Sequence, residues 1–343
     1  MPAQLGSCAG IAVPGPGGPT AEERMAAGPG PARPRRRRTV IPPDQRGFVN
    51  IRSALTAHVG ADGTPVTLAD RPDATVVRVA GTVAKAHVPG TDPGHLARRL
   101  ETAARLPGIL LPPLTPAPAR LHDRLVTRWP YGTPVDPDDP GAAPWEATAT
   151  LLARLHGAAP PPLPPMRGPA KAARAVARLR AALRTGSHDG ARPVLDAWDT
   201  LPAWARDEAP MPGPPALCHG DLHLGQLVRH PAPDGPWRLI DVDDLGLGVP
   251  AWDLARPAAW YACGLLPPDA WSRFLAAYRA ARGPAVPATG DPWPALEVPA
   301  RALTVQTAAL AITKALAAHR PLDEAERALV DACARMTAVP RTT

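Results

Sequence analysis

From Phe48 onward the apolar positions of the chain change their period more than once. Phe48, Ile51, Leu55 and His58 recur at helical spacing. Val66 to Leu68, Thr75 to Val79 and Thr82 to His87 are short β-branched runs, parted by Asp70-Arg71-Pro72-Asp73 and by Ala80-Gly81, which predicts a small antiparallel meander. A helix is expected from about Gly94 to Arg105, with Leu96, Leu100 and Ala103 on one face. Two further strands are expected around Arg120 and over Leu125 to Trp129, so residues 47–131 read as one β-β-β-α-β-β unit.

Beyond Pro130-Tyr131-Gly132 the pattern turns helical, and residues 132–343 read as a helical unit. A segment from Pro144 carries the stripe Thr148, Leu151, Leu152, Leu155, and arginine-rich helical segments are expected near 169–185 and 191–206. The proline-rich stretch from Ala159 to Pro165 is a linker. Later stripes run through Trp271, Leu275 and Tyr278, and through Val305, Ala309, Ile312 and Leu316. Asp323 with Glu326 forms a capping box for a last helix.

Composition changes this picture at the amino terminus. Residues 1–46 hold nine prolines and seven glycines, too little apolar content to offset chain entropy, so a disordered tail is expected. The same tail carries seven arginines against three acids and accounts for +4 of the +7 net charge. What remains is nearly balanced and has no nucleic-acid motif, so no nucleic-acid partner is expected. Four scattered cysteines without a C-x-x-C pair fit a reducing, cytoplasmic setting, and no apolar run reaches the ~20 residues of a membrane helix. Of 38 basic side chains only Lys85, Lys171 and Lys314 are lysines, so a lysine in this background invites inspection.

The densest chemistry is Cys218-His219-Gly220-Asp221-Leu222-His223-Leu224-Gly225-Gln226, followed by Leu239-Ile240-Asp241-Val242-Asp243-Asp244. Asp221 and Asp241 stand twenty residues apart, each beside a short strand-like run, as a hairpin would need to bring both to one cleft. Paired carboxylates serve phosphoryl transfer: one orients the acceptor hydroxyl and takes its proton, the other holds magnesium against the nucleotide phosphates. An amide oxygen from Gln226 adds a hard ligand. Taken alone, His219-x-Asp221-x-His223 also suits a metal-hydrolase site, Asp243 and Asp244 read as solvated turn acids, and His156 as a packing residue.

The run HGDLHLGQ, then LIDVDD, then Ala251-Trp252-Asp253-Leu254-Ala255 resembles the aminoglycoside phosphotransferase and choline kinase superfamily, and its HLGQ form resembles maltokinase-like members. The resemblance implies an α+β, two-lobed protein-kinase-like fold, with a small antiparallel sheet lobe and a larger helical lobe. It implies a small-molecule kinase that uses ATP or GTP with Mg2+. By motif position His219 supports the loop, Asp221 orients the acceptor, Asp241 binds magnesium and Asp253 braces the loop from a helix start. Kinase-like folds also place a lysine on the third strand, oriented by a glutamate of the next helix. Lys85 and Glu101 stand at those places, and the adenine is expected at the backbone near Trp129 and Tyr131. No glycine occurs between Asp70 and Ala74, and the family's usual asparagine is Gln226 here. Those two departures are the argument for the rival reading, a pseudokinase or nucleotide-responsive binding protein. The segments 158–215 and 247–343 carry +3 and +2, without the acidic surplus a polycation demands, so the expected acceptor is a neutral or anionic hydroxylated metabolite such as a sugar.

Overall fold

The computed structural model describes residues 51–71 and 74–338; the expected tail at 1–46 and residues 72–73 of the first strand turn lie outside the described residues. The first lobe runs α1 (Ile51–Val59), β1 (Val66–Arg71), β2 (Ala74–Val79), β3 (Thr82–His87), α2 (Pro93–Arg105), β4 (Ala119–Leu121) and β5 (Arg124–Pro130). Its five strands form one antiparallel sheet in the order β1-β2-β3-β5-β4. β2 is buried on both faces because α1 covers one of them: Leu55 packs on Val77, Val79, Ala84, Ala86 and Val126. In α2 the Asp92 carboxylate accepts from the His95 N–H at 2.7 Å, and Pro93 presets the first turn.

The second lobe begins with β6 (Thr133–Pro134) and α3 (Trp145–His156), then α4 (Gly168–Ala182) and α5 (Ala191–Asp199). Three short strands follow, β7 (Ala216–Cys218), β8 (Leu227–Arg229) and β9 (Trp237–Leu239), then β10 (Gly246–Gly248) and the helices α6 (Ala251–Ala262), α7 (Pro268–Ala280), α8 (Trp293–Ala318) and α9 (Glu324–Ala338). The expected helix over 191–206 is two pieces, since Pro202 cannot continue α5 and a short 3-10 turn, Ala203–Arg206, takes over. α8 is the axis of this lobe. Its alanine-rich surface is buried from Leu296 to Ala315 and lets α4, α6 and α9 approach closely. At the start of α9 the Glu326 carboxylate accepts from the Asp323 N–H at 2.9 Å and the Asp323 carboxylate from the Glu326 N–H at 2.8 Å, the expected capping box.

Two features set the site in place. β8 and β9 form an antiparallel hairpin with Leu227 opposite Leu239, and the Ile240 N–H donates to the Gln226 carbonyl at 2.9 Å just beyond it. β7 pairs with β10, Cys218 opposite Gly246. The loop carrying Asp221 leaves β7 and the turn carrying Asp241 to Asp244 lies between β9 and β10, so both pairings carry the two loops to one place. The segment after α2 joins the lobes through the Leu111 N–H on the Leu239 carbonyl and the Leu239 N–H on the Ile109 carbonyl.

Candidate active site

Asp253, in the first turn of α6 and fully buried, organises the loop from behind. One carboxylate oxygen accepts from the His219 N–H at 2.6 Å and lies 3.0 Å from His156 Nε2; the other accepts from the Gly220 N–H at 2.8 Å. His156 is in turn fixed by the Tyr278 hydroxyl at 2.7 Å, so it is the support of Asp253 as well as a packing residue. His219 Nε2 donates to the Ile240 carbonyl at 2.8 Å and ties the first loop to the second. Gly220 has φ +82°, and a Cβ there would meet the Asp244 carbonyl oxygen at 2.5 Å, so glycine is required on both counts.

The carboxylates are joined into a belt by two lysines. Lys85 Nζ, on β3, lies 2.7 Å from Asp241 and 3.0 Å from Asp243. Lys171 Nζ, on α4, lies 2.5 Å from Asp221 and 2.7 Å from Asp244. Arg256 of α6 reaches the second Asp221 oxygen at 3.3 Å, Arg167 the second Asp244 oxygen at 3.0 Å, and His87 approaches Asp243 at 3.1 Å. Burial acts to raise the Asp221 carboxyl, but the Lys171 and Arg256 cations outweigh it and bring it down to about 2. Burial acts to lower the Lys85 ammonium, and Asp241 and Asp243 outweigh it and hold it charged. Asp241 stays below the usual carboxylate range against its own burial, because Lys85 lies beside it. It also occupies left-handed backbone, φ +65°, a strained conformation of the kind that active sites retain.

Two expectations are corrected, for Glu101 and for the Asp243-Asp244 pair. Glu101 does not orient Lys85: it is exposed and pairs with Arg105 one turn on at 2.6 Å, while α2 turns Leu96, Arg99, Leu100 and Ala103 inward. Asp243 and Asp244 are not solvated turn acids; Asp244 is buried, and both pair with cations. Tyr131 is engaged within the protein, its N–H on the Gly81 carbonyl at 2.8 Å and its ring under the Arg78 guanidinium at 3.5 Å. Trp129 sits on β5 opposite Val83, and its indole N–H donates to Thr127 at 3.0 Å. Gln226 is buried at the head of β8, at the end of the Leu224–Gln226 turn.

The hydrolase pattern is not realised. Among the described residues His219, Asp221 and His223 do not gather their ligand atoms into a group that could hold one ion; His219 Nε2 donates to a carbonyl and His223 Nδ1 accepts from the Gly225 N–H at 3.1 Å. Among the described residues the one compact trio of metal-ligand type is His156, Cys218 and Asp253, and its His156 and Asp253 are spent on bracing the loop. Lys171 and Arg256 are the functional-site residues that sequence reasoning missed. The rarity of lysine was a signal for Lys171; nothing in the local sequence marked Arg256.

A family model described as the phosphotransferase enzyme family matches residues 76–297. The fold is similar to a choline/ethanolamine kinase family protein from Mesorhizobium loti, at TM-score 0.51 and 18% identity, covering 84% of this chain and 92% of that one. It is also similar to aminoglycoside phosphotransferase APH(3'')-Id from Streptomyces rimosus, at TM-score 0.51 and 22% identity, covering 74% and 97%. A third similar structure, spectinomycin phosphotransferase APH(9)-Ia in complex with ADP and spectinomycin, has TM-score 0.54 and 13% identity, covering 84% and 92%. None of the curated proteins matches the sequence. At these identities the likeness is one of fold.

Proposed function

Since the chain belongs to the phosphotransferase enzyme family, whose model spans most of its length, we propose that it transfers the γ-phosphoryl group of ATP to a hydroxyl of a small neutral or anionic metabolite. The observation that carries this reading is the belt Asp221, Lys171, Asp244 and Asp243, Lys85, Asp241, which gathers the charges of phosphoryl transfer from both lobes. Asp221 orients the acceptor hydroxyl and takes up its proton as the phosphoryl group departs. Its basicity, kept low by two cations, suits a transfer in which the proton moves late. Lys85 holds the nucleotide phosphates, and His219 and Asp253 keep the Asp221 loop in register with the Asp241 turn.

The donor set fits Mg2+: Asp241 offers a carboxylate, and Gln226, a buried residue at the end of the Asp221 loop, a side-chain amide, both with hard oxygen donors. Magnesium there would neutralise charge on the nucleotide phosphates. Trp129 and Tyr131 bound the adenine side, where nucleotide binding would compete with the contacts to Gly81 and Arg78. ATP supply favours the cytoplasm as the place of action, and no described helix is long and apolar enough to cross a membrane.

The acceptor reading rests on charge. A narrow cleft beside His223 and Arg256 is walled by Trp145, Leu222, Pro257 and Trp260, with no carboxylate in its lining. Arg99 is buried with its one hydrogen bond on the Leu245 carbonyl, and Arg174 is drawn below its usual range by burial and by Arg167. Neither feature adds an acidic surplus, beyond the cation-paired carboxylates of the belt, of the kind that a polycation would need. The test is ADP release from MgATP or MgGTP with sugars, hydroxy acids and kanamycin-type compounds side by side. Sugars or hydroxy acids should raise the rate at least tenfold and the aminoglycosides should not. Binding of nucleotide with no acceptor response would favour the binding-protein reading, and efficient aminoglycoside turnover would overturn the acceptor class alone.

A further inference from the structure

Lys171 stands in the first turn of α4, outside every loop motif of the site, yet its ammonium lies between Asp221 Oδ2 and Asp244 Oδ2 at 2.5 and 2.7 Å. The remaining oxygens of those two carboxylates go to Arg256 and Arg167. We propose that Lys171 is a positioning residue for phosphoryl transfer, holding the Asp221 carboxylate in one orientation toward the acceptor hydroxyl by locking it to Asp244; the proposal rests on the acceptor-orienting role of Asp221 given above.

Three observations support a role beyond packing. The helix is docked without the lysine, because Ala172, Ala175, Val176 and Leu179 bury its apolar face, largely against α8. The chain strongly prefers arginine, but two of its three lysines each bridge two carboxylates of this one belt. A compact ammonium with three rotatable donors fits between carboxylates from two different loops, where a planar guanidinium fork demands its own geometry. The charged and titratable groups facing Asp221 are the cations Lys171 from α4 and Arg256 from α6 and the neutral His223 of its own loop, with Asp244 and its partner Arg167 beyond the lysine. Loss of Lys171 therefore removes one of two direct cations and leaves Asp221 free to rotate about Arg256.

The test compares wild type with Lys171→Met, Lys171→Gln and Lys171→Arg, using MgATP as the probe and water as the acceptor. In the Met and Gln variants turnover should fall at least tenfold while KM for MgATP stays within about twofold, and the acid limb of kcat should move to higher pH. Lys171→Arg should recover part of the turnover and return the limb toward its original position. Gln retains a hydrogen-bond donor without the charge, so it carries the test if the Met variant does not fold. Wild-type turnover and an unmoved acid limb in the Gln variant would overturn the proposal. Calorimetry of wild type with MgATP separately tests the kinase reading. If wild type binds but does not hydrolyse, the Asp221 carboxyl titration followed by carbon NMR decides: an upward shift in the Gln variant supports the lock, and an unchanged midpoint overturns it.

Discussion

His223 follows Asp221 by two residues and is spent on the backbone: as the cap of the Leu224–Gln226 turn it accepts the Gly225 N–H through Nδ1, which requires a neutral ring. Burial first, and Arg256 second, push its pKa down to about 4. A histidine lowered in the folded state binds fewer protons there than in the unfolded chain, so its contribution is complete above about 6.5 and is lost as pH falls toward 4. The unfolding free energy should therefore decline between pH 7 and 4.5, with a slope of up to about 1.4 kcal/mol per pH unit for the single proton, and the melting temperature with it. His223→Asn keeps an acceptor for Gly225 and removes the titration, so its decline should be shallower; equal slopes in thermal melts would contradict this account. Asp221 itself, lowered to about 2, loses its own contribution only between about pH 4 and 2.

Among the elements, α6 does the most to shape the site, because its first turn supplies Asp253. That carboxylate satisfies two loop N–H groups and His156 in a fully buried position. Asp253→Ala should cost about 3–5 kcal/mol, the range for breaking a buried charged network, visible as a lower denaturant midpoint. A cost below about 1 kcal/mol would mean that the loop is held some other way. The sequence marked this residue through its motif, and it marked the meander of β1 to β3 through β-branched runs between turns. It misled at Glu101. Counting along a helix gives a distance but not a face, and at about 100° per residue Glu101 turns away from the Leu96, Leu100, Ala103 stripe. It was silent about Arg256 and the partners of Lys171 for another reason: those contacts join residues 35 to 73 positions apart, and such pairings leave no periodic trace.

For the whole molecule, the two lobes share one apolar core, with Leu96, Leu100 and Leu110 in the same buried cluster as Leu217 and Leu239, and charge is added at the cleft. Lys85 comes from the sheet lobe, and its partners Asp241 and Asp243 come from the helical lobe, so the same ammonium that would hold nucleotide phosphates now bridges the cleft. Net charge, in contrast, described the molecule poorly, since most of the surplus lies in residues 1–46 while the site is a nearly balanced cluster. The central claim is that Asp221 serves the acceptor and Asp241 serves the metal and nucleotide. It is tested most directly by MgATP calorimetry and turnover on Asp221→Asn and Asp241→Asn side by side. Asp221→Asn should bind MgATP within about twofold of wild type while kcat falls about 10²–10⁴-fold, and Asp241→Asn should lose magnesium-dependent nucleotide binding itself. Normal turnover in both variants, or nucleotide binding lost in Asp221→Asn and kept in Asp241→Asn, would contradict the account.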